Sequence, residues 1–191
     1  MRDFEIRSRL KETKLIHFFN DGSSKIVDEF TFPSTNSRID VAVINCELHG
    51  YEIKSSRDTL QRLPNQLIGY EKVLDYLHVV AEPKHIVHIE KMLPDWVGLT
   101  VCQEVNSNVE LLDIKLSNKN PHKEAFHIAK LLWRDEIIDI LNTNNIKFRK
   151  KDRNWLLCEV LAANLELDFI SKEVRNKIKL RDNWKLGKQV Y

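Results

Sequence analysis

The chain has 191 residues, of which 42% are hydrophobic and 30% charged, with a formal net charge of +2. This composition is typical of one folded domain, or of one domain with a smaller helical appendage, and argues against wholesale disorder. The apolar runs are too short to span a membrane, and the charged start MRDFEIRSRL lacks the apolar core of a secretory signal. The three cysteines form no CxxC pair, so we expect neither a zinc site nor a disulfide framework, and a cytoplasmic location.

The charges are distributed unevenly along the chain. Residues 141–191 contain 12 Lys/Arg against 6 Asp/Glu, whereas the first 140 residues contain 18 against 22. A basic end behind an acidic body is typical of some nucleic-acid-binding proteins, although a solvated helix face gives the same count. Both interpretations remain open at this point.

Apolar spacing and turn residues predict an α/β core in the first half of the chain. The predicted elements are a helix over 2–19, strands over 25–33, 38–45 and 48–55, a helix beginning near Pro64, a strand over 77–81, a helix over 83–93 and a strand over 97–102. The three consecutive strands are rich in β-branched and aromatic residues and favour an antiparallel meander.

After residue 106 the pattern becomes helical. Predicted helices run from 121 to about 141, over 152–165 and over 168–180. We therefore divide the chain into a core, residues 1–106, and a basic helical extension, residues 107–191.

The second predicted strand carries the first candidate catalytic residue. A period of two places Ile39, Val41 and Val43 on one face and Asp40 on the other. The same period in the third strand places Glu52 and Lys54 on one face. If the two strands pair, these three charged side chains converge near a sheet edge.

Such a cluster is costly unless a cation or an anionic ligand lies nearby. Two carboxylates and a backbone carbonyl are oxygen ligands of the kind that Mg²⁺ binds, usually with several waters retained. A bound metal polarises a phosphate and lowers the pKa of a water, and a nearby lysine offsets charge that develops in the reaction. The cluster therefore indicates phosphodiester hydrolysis.

These residues resemble a known motif. Asp40 followed by Glu52-Ile53-Lys54 is similar to the D…(D/E)xK signature of the PD-(D/E)xK nuclease superfamily, although Ile39 stands where that motif has proline. RIDVAVI, GYEIKSSRDTLQRL and QLIGY further resemble a bacterial family of predicted nucleases with a RecB-type QxxxY element. Segments like RDFEIR, PDWVG and LLWRDE extend the resemblance over most of residues 1–140.

The resemblance implies a restriction-endonuclease-like αβββαβ core and a site that uses Mg²⁺, for which Mn²⁺ substitutes. It implies metal ligation by Asp40, Glu52 and the carbonyl of Ile53, and a catalytic role for Lys54. The QxxxY element adds Gln66 and Tyr70 as catalytic residues, and their i, i+4 spacing places both on one helix face.

Two further acidic residues are candidates for an accessory metal ligand. Glu5 corresponds to the first-helix glutamate of the superfamily, and it is otherwise a solvated glutamate beside Arg2 or Arg9. Glu29 competes with it, because the first strand is expected to lie beside the site.

Several residues are candidate nucleic-acid contacts. They are Arg38, Ser55, Arg57, Lys147, Arg149, Lys150 and Lys151. The alternatives are that Asp58 caps the next helix, and that the basic run of Lys147–Arg153 is a solvated loop. His85 and His88 are interpreted as surface histidines, and Trp96 and Trp133 as packing residues.

The sequence thus predicts a Mg²⁺-dependent nuclease acting on nucleic acid, with DNA preferred over RNA and no membrane contact. The rival interpretation is a non-catalytic nucleic-acid- or protein-binding module that keeps the nuclease fold. A homodimer or a partner protein is left open.

Overall fold

The structure, a computed structural model, describes residues 1–106 and 108–181. Its helices are α1 (Asp3–Thr13), α2 (Ile16–Asn20), α3 (Leu63–Glu71), α4 (Pro83–Glu90), α5 (Ala125–Ala129), α6 (Arg134–Thr143), α7 (Asn154–Asn164) and α8 (Leu167–Leu180). Its strands are β1 (Lys25–Phe32), β2 (Ser37–Ile44), β3 (Leu48–Lys54), β4 (Tyr76–Ala81), β5 (Gly98–Val105) and β6 (Asn108–Lys115). Within the described ranges, no helix combines the length and apolarity needed to cross a bilayer.

The strands form one mixed sheet in the order β1-β2-β3-β4-β5-β6. Pairing is antiparallel from β1 to β3, parallel from β3 to β5, and antiparallel again at β6. Helices α3 and α4 connect the parallel strands, because parallel neighbours need a crossover. The predicted α/β class, with a restriction-endonuclease-like αβββαβ order, a mixed sheet and C-terminal helices, is confirmed.

Short polar turns produce the predicted meander. Between β1 and β2, Asn36 adopts a left-handed conformation with φ of 48°, which asparagine tolerates better than most residues. Between β2 and β3, the Asn45 side chain accepts a hydrogen bond of 2.8 Å from the backbone N–H of Glu47. Gly50 then lets the segment between α3 and β4 approach β3, because a Cβ there would lie 2.5 Å from Leu74 Cδ1.

Apolar side chains cover both faces of the sheet. The α1 face is filled by Ile6, Leu10, Leu15, Val41, Val43, Tyr51, Ile53, Val80 and Cys102. On the opposite face, buried residues of β1 to β5 pack with α3 and with the C-terminal helices in one continuous cluster. The helical extension therefore shares its core with the sheet.

The predicted alternation along β2 is wrong at its start. Val41 packs on the α1 face but Ile39 packs on the α3 face, so alternation breaks at Asp40. Glu29, opposite Asp40 in the β1–β2 register, has a left-handed φ of 56°. Pairing between β2 and β3 also ends at Val41, so β2 is free to turn there.

The predicted helical character of residues 107–191 is wrong for β6. Residues 108–115 pair with β5 at the sheet edge, where only one neighbouring strand constrains them. Leu112 and Ile114 remain exposed, so the segment lacks the alternation of a half-buried strand. The division into two domains stays a prediction.

Three predicted helices have different bounds. The helix predicted over 2–19 is α1 followed by α2, and the one predicted from 121 to 141 is α5 followed by α6. The helix predicted over 83–93 ends at Glu90.

The half-buried histidine His78 makes stability dependent on pH. Burial lowers the pKa of His78 from 6.5 to about 4, and the nearby His49 adds to the shift, while Asp113 opposes it. The ring stacks on Tyr51 at 4.7 Å between centroids and lies 2.9 Å from the Ser117 hydroxyl. The folded protein therefore holds this imidazole in its neutral form.

We expect the free energy of unfolding to fall as pH drops from 6.5 towards 4, because only the unfolded chain binds the proton in that window. Between pH 7.5 and 5 the contribution is at most about 2 kcal/mol. Urea unfolding at both pH values should show a smaller loss for His78→Gln than for wild type. The exposed His88→Gln is the control, and equal losses in all three proteins would contradict the prediction.

Candidate active site

The candidate site lies where β2 separates from β3. Asp40 immediately precedes Val41, where the pairing of β2 with β3 begins. Its Oδ2 accepts a hydrogen bond of 2.7 Å from the Ile53 backbone N–H. The carboxylate thus takes the place that a strand carbonyl would otherwise occupy. This contact fixes Asp40 beside the end of β3.

The Ile53 carbonyl is directed to the same side. The carbonyl of the next residue, Lys54, accepts a hydrogen bond of 3.1 Å from the Glu82 N–H, beyond the end of β4. Because successive carbonyls of a strand point to opposite sides, the Ile53 carbonyl points towards β2 and Asp40. Two oxygen ligands predicted from the sequence are thereby neighbours.

Glu52 is held by three donors on the α3 face. Lys54 Nζ lies 2.7 Å from its Oε1, and Gln66 Nε2 lies 2.8 Å from the same oxygen. The Tyr70 hydroxyl lies 2.7 Å from Oε2. Glu52 and Lys54 are only 2% and 4% exposed, so this ion pair is largely shielded from solvent.

Helix α3 supplies Gln66 and Tyr70 from one face, as the i, i+4 spacing predicts. The Gln66 Oε1 accepts from Lys54 at 3.1 Å while its Nε2 donates to Glu52, so one amide holds both charged groups. Burial, with the charge of Glu52, raises the pKa of Tyr70 well above its usual range. The phenol therefore stays protonated and donates to Glu52 or to the Arg38 carbonyl, 2.6 Å away.

A polar cleft of about 550 Å³ opens over these groups. It is lined by Asp3, Thr31, Thr35, Asn36, Ser37, Arg38, Asp40, Glu52, Ile53, Lys54, Asp58, Arg62, Asn65 and Gln66. None of these lining residues is aromatic. The cleft is thus suited to a charged backbone rather than to stacked bases.

Asp40, Glu52 and Lys54 all line this cleft. The sequence predicts that all three extend from one face of the sheet, and this prediction is wrong. Asp40 lies towards α1, where Arg7 Nη2 is 3.4 Å from its Oδ1, whereas Glu52 lies towards α3. Burial, with the charge of Glu52, raises the pKa of Asp40 to about 7. Burial and the neighbouring negative charge both disfavour ionisation of the Asp40 carboxyl.

Arg7 connects three carboxylates on the α1 side. Its Nη2 lies 2.9 Å from Asp3 Oδ1 and 2.7 Å from Glu29 Oε1, in addition to the contact with Asp40. The second oxygen of Glu29 lies 2.7 Å from Arg38 Nε. Glu29 is thus connected to the site by its ion pairs with Arg7 and Arg38, but its own side chain does not line the cleft.

Asp3 is the α1 carboxylate that lines the cleft. Glu5 instead accepts a hydrogen bond from the Arg2 backbone N–H and caps α1. A helical wheel contains this signal, because residue 3 shares a face with the buried Ile6 and residue 5 does not. Burial raises the pKa of Asp3, and Arg7 opposes the shift.

The loop after β3 presents fewer contacts than the sequence predicts. Ser55 is 3% exposed, and its N–H and hydroxyl donate to Asp58 Oδ2 at 2.8 and 2.6 Å, so it is not offered to a ligand. Arg57 is exposed on this loop. His85, interpreted as a surface residue, is buried with its ring 3.0 Å from the Ser55 carbonyl.

Other predicted contacts lie in two places. Arg38 lines the cleft with its side chain 64% exposed. Lys147, Arg149, Lys150 and Lys151 are exposed on the α6–α7 loop. Sequence reasoning missed the cleft residues Asp3, Arg62 and Asn65.

The oxygen ligands in the cleft form a small set. In residues 1–106 and 108–181, no group of three or more His, Cys, Asp or Glu side chains is placed to hold a metal ion. Of the predicted ligands, Glu5 and Glu29 do not line the cleft, which leaves the carboxylates of Asp40 and Glu52 and the Ile53 carbonyl.

Comparison with known proteins shows the family of the chain. The family model described as Bacteriophage P4 protein cII matches residues 4–186, and the chain belongs to this family. Protein cII of Enterobacteria phage P4 is 31% identical over 156 residues, which cover 82% of this chain and 59% of the phage protein. The match thus spans less than two thirds of that relative's own length.

Two other similarities are more limited. An adenylosuccinate synthetase of Plasmodium knowlesi (strain H) is 37% identical over 65 residues, which cover 34% of this chain and 15% of the synthetase. The solved structure of SfsA from Pyrococcus furiosus in complex with Ca²⁺ matches with a TM-score of 0.32 and 14% identity, covering 60% of this chain and 61% of that one.

Proposed function

We propose that this member of the P4 protein cII family is a metal-dependent nuclease that hydrolyses phosphodiester bonds, with DNA as the preferred substrate. One observation carries the proposal. A buried Glu52–Lys54 ion pair, held by Gln66 and Tyr70, lies beside Asp40 at the bottom of a polar cleft. Buried charges of this kind are costly, so their presence in an open cleft indicates chemistry.

The donor set fits a hard divalent cation such as Mg²⁺ or Mn²⁺. A carboxylate oxygen accepts about two hydrogen bonds. Among residues 1–106 and 108–181, Glu52 Oε2 has one close donor, Tyr70, and Asp40 Oδ1 has one contact, with Arg7 at 3.4 Å. These two oxygens and the Ile53 carbonyl would hold the metal, which when bound would polarise a phosphate and acidify a water.

The side chains of the cleft have distinct proposed roles. Lys54 lines the cleft. Its ammonium group would orient the attacking water or offset negative charge on the reacting phosphate. Gln66 and Tyr70 position the Lys54 ammonium and the Glu52 carboxylate through their hydrogen bonds. Arg38 lines the cleft, and its guanidinium would donate hydrogen bonds to phosphate oxygens.

The rival proposal is a binding module that kept the fold without the chemistry. The place of the ion pair favours the nuclease, because Glu52 and Lys54 line the cleft beside Asp40 instead of joining packed elements of the fold. An RNase activity of the same site is a second outcome of the experiment below.

The test uses purified protein with linear, circular and single-stranded DNA and with RNA. Each substrate is incubated with Mg²⁺, with Mn²⁺ and with EDTA. We expect cleavage that requires the metal, and products from circular DNA would show endonuclease activity. Absence of cleavage of every substrate, by protein that is folded, would contradict the proposal and favour the binding module.

A pair of variants on α1 distinguishes the accessory carboxylates. Asp3→Asn is expected to lower cleavage at limiting Mg²⁺ by about 10- to 100-fold, the range for residues that support metal ligands. Glu5→Gln should leave cleavage unchanged, because its carboxylate caps the helix. Both rates are measured over a Mg²⁺ titration, and the reverse order would show that Glu5 is the accessory group.

A further inference from the structure

The loop that joins α6 and α7 carries a concentration of positive charge. Its exposed side chains include Lys147, Arg149, Lys150, Lys151 and Arg153. The single acidic residue of the run, Asp152, is half-buried and accepts a hydrogen bond of 3.3 Å from the Arg149 N–H. Exposed Asp135 and Glu159 on the flanking helices leave an excess of positive charge.

The backbone of this loop is held in place. Arg134 donates to the carbonyls of Lys150 and Asp152, at 2.5 and 2.8 Å. Phe148 packs against the apolar core. The loop therefore presents its cations from a fixed backbone, which reduces the entropy that binding would cost.

Two tryptophans flank the loop and are unusually exposed. Trp155, two residues after Arg153, is 46% exposed, and Trp133, next to Arg134, is 44% exposed. The Arg181 guanidinium lies 4.3 Å from the centre of the Trp133 ring. The expectation that Trp133 is a packing residue is therefore wrong for much of its surface, whereas Trp96 is 5% exposed as expected.

This surface lies away from the cleft. Arg181 contacts Glu136 near the start of α6, and its carbonyl accepts a hydrogen bond from Lys25 Nζ. Lys25 is the first residue of β1, whereas Thr31, near the end of β1, lines the cleft. The six steps from Lys25 to Thr31 span about 20 Å, so Arg181 and the cleft lie near opposite ends of β1.

We propose that Trp133, Trp155 and the basic loop form a second nucleic-acid site that binds single strands. Cations that follow a phosphate backbone and exposed aromatic rings that stack on bases are the two components of single-strand recognition. In a duplex the bases are already stacked, so tryptophans add little there. The proposed site binds independently of cleavage in the cleft.

The test is the binding of a fluorescent 20-residue oligothymidylate, measured by anisotropy in EDTA so that no metal-dependent cleavage occurs. The triple variant Arg149→Ala, Lys150→Ala, Lys151→Ala should bind at least tenfold more weakly. The fall of its log affinity with log salt should be shallower by about 2, since each single-strand phosphate contact contributes about 0.7 to the magnitude of the slope. Trp155→Ala should weaken binding by about 5- to 100-fold.

A triple variant with the same charge change, Lys91→Ala, Lys119→Ala, Lys172→Ala, is the control and should bind like wild type. Circular dichroism verifies the fold of each variant. Equal binding by both triple variants would overturn the proposal, as would a preference for duplex or for anionic vesicles. Because the assay contains no metal, its outcome is independent of the nuclease proposal.

Discussion

Replacing Lys54 by alanine is expected to lower the rate of nucleic-acid cleavage by about 10²–10⁴-fold, the range for a positioned proton-transfer or charge-stabilising group. The ammonium lies 2.7 Å from Glu52 and 3.1 Å from Gln66, at the bottom of the cleft. Both proposed metal-ligating carboxylates remain in the variant. Divalent-cation affinity should therefore persist or rise, because a neighbouring positive charge is gone.

Cleavage rates and calorimetric Mn²⁺ titration of the same preparations separate the two effects. Lys54→Met keeps most of the side-chain volume, so it serves as a second variant if alanine disturbs the packing. The exposed Lys91→Ala is the control and should retain the wild-type rate. Wild-type cleavage by a folded Lys54→Met protein would exclude the proposed role of the lysine.

The second large effect is expected at Asp75, away from the cleft. This carboxylate is 1% exposed, forms ion pairs with Lys123 and Arg175, and accepts a hydrogen bond of 2.7 Å from the Leu48 N–H. It thus links the starts of β3 and β4 to α8. Removing one partner of a buried ion pair leaves its counter-charges uncompensated and costs about 3–5 kcal/mol.

We expect Asp75→Ala to lose about this much free energy of unfolding in urea, whereas Asp139→Ala should lose less than about 1 kcal/mol. Asp139 pairs with Lys177 but is 60% exposed, which makes it a matched surface control. A loss at Asp75 as small as that at Asp139 would show that the buried pair does not anchor α8. If residues 107–191 unfold separately, the urea curve should show two transitions.

The sequence predicted those features that follow from local periodicity. The i, i+4 spacing correctly placed Gln66 and Tyr70 on one side of α3, where both contact Glu52. Polar turns correctly bounded the three-stranded meander. Both features depend on residues a few positions apart, so single-chain patterns suffice to find them.

The sequence could not predict features that depend on partners far along the chain. The break in side-chain alternation at Asp40 depends on the left-handed backbone of Glu29 and on the end of pairing between β2 and β3. The choice of Asp3 over Glu5 needs the position of α1 on the sheet. β6 depends on pairing with β5, because its own sequence shows little alternation.

The most direct measurement is a calorimetric titration of Mn²⁺ into wild type and into the double variant Asp40→Asn, Glu52→Gln. The two amides keep the size of the side chains while removing both ligand charges. Thermal melts first establish that each protein is folded. We predict that wild type binds the ion and that the double variant does not, and equal binding by both proteins would contradict the proposed metal site.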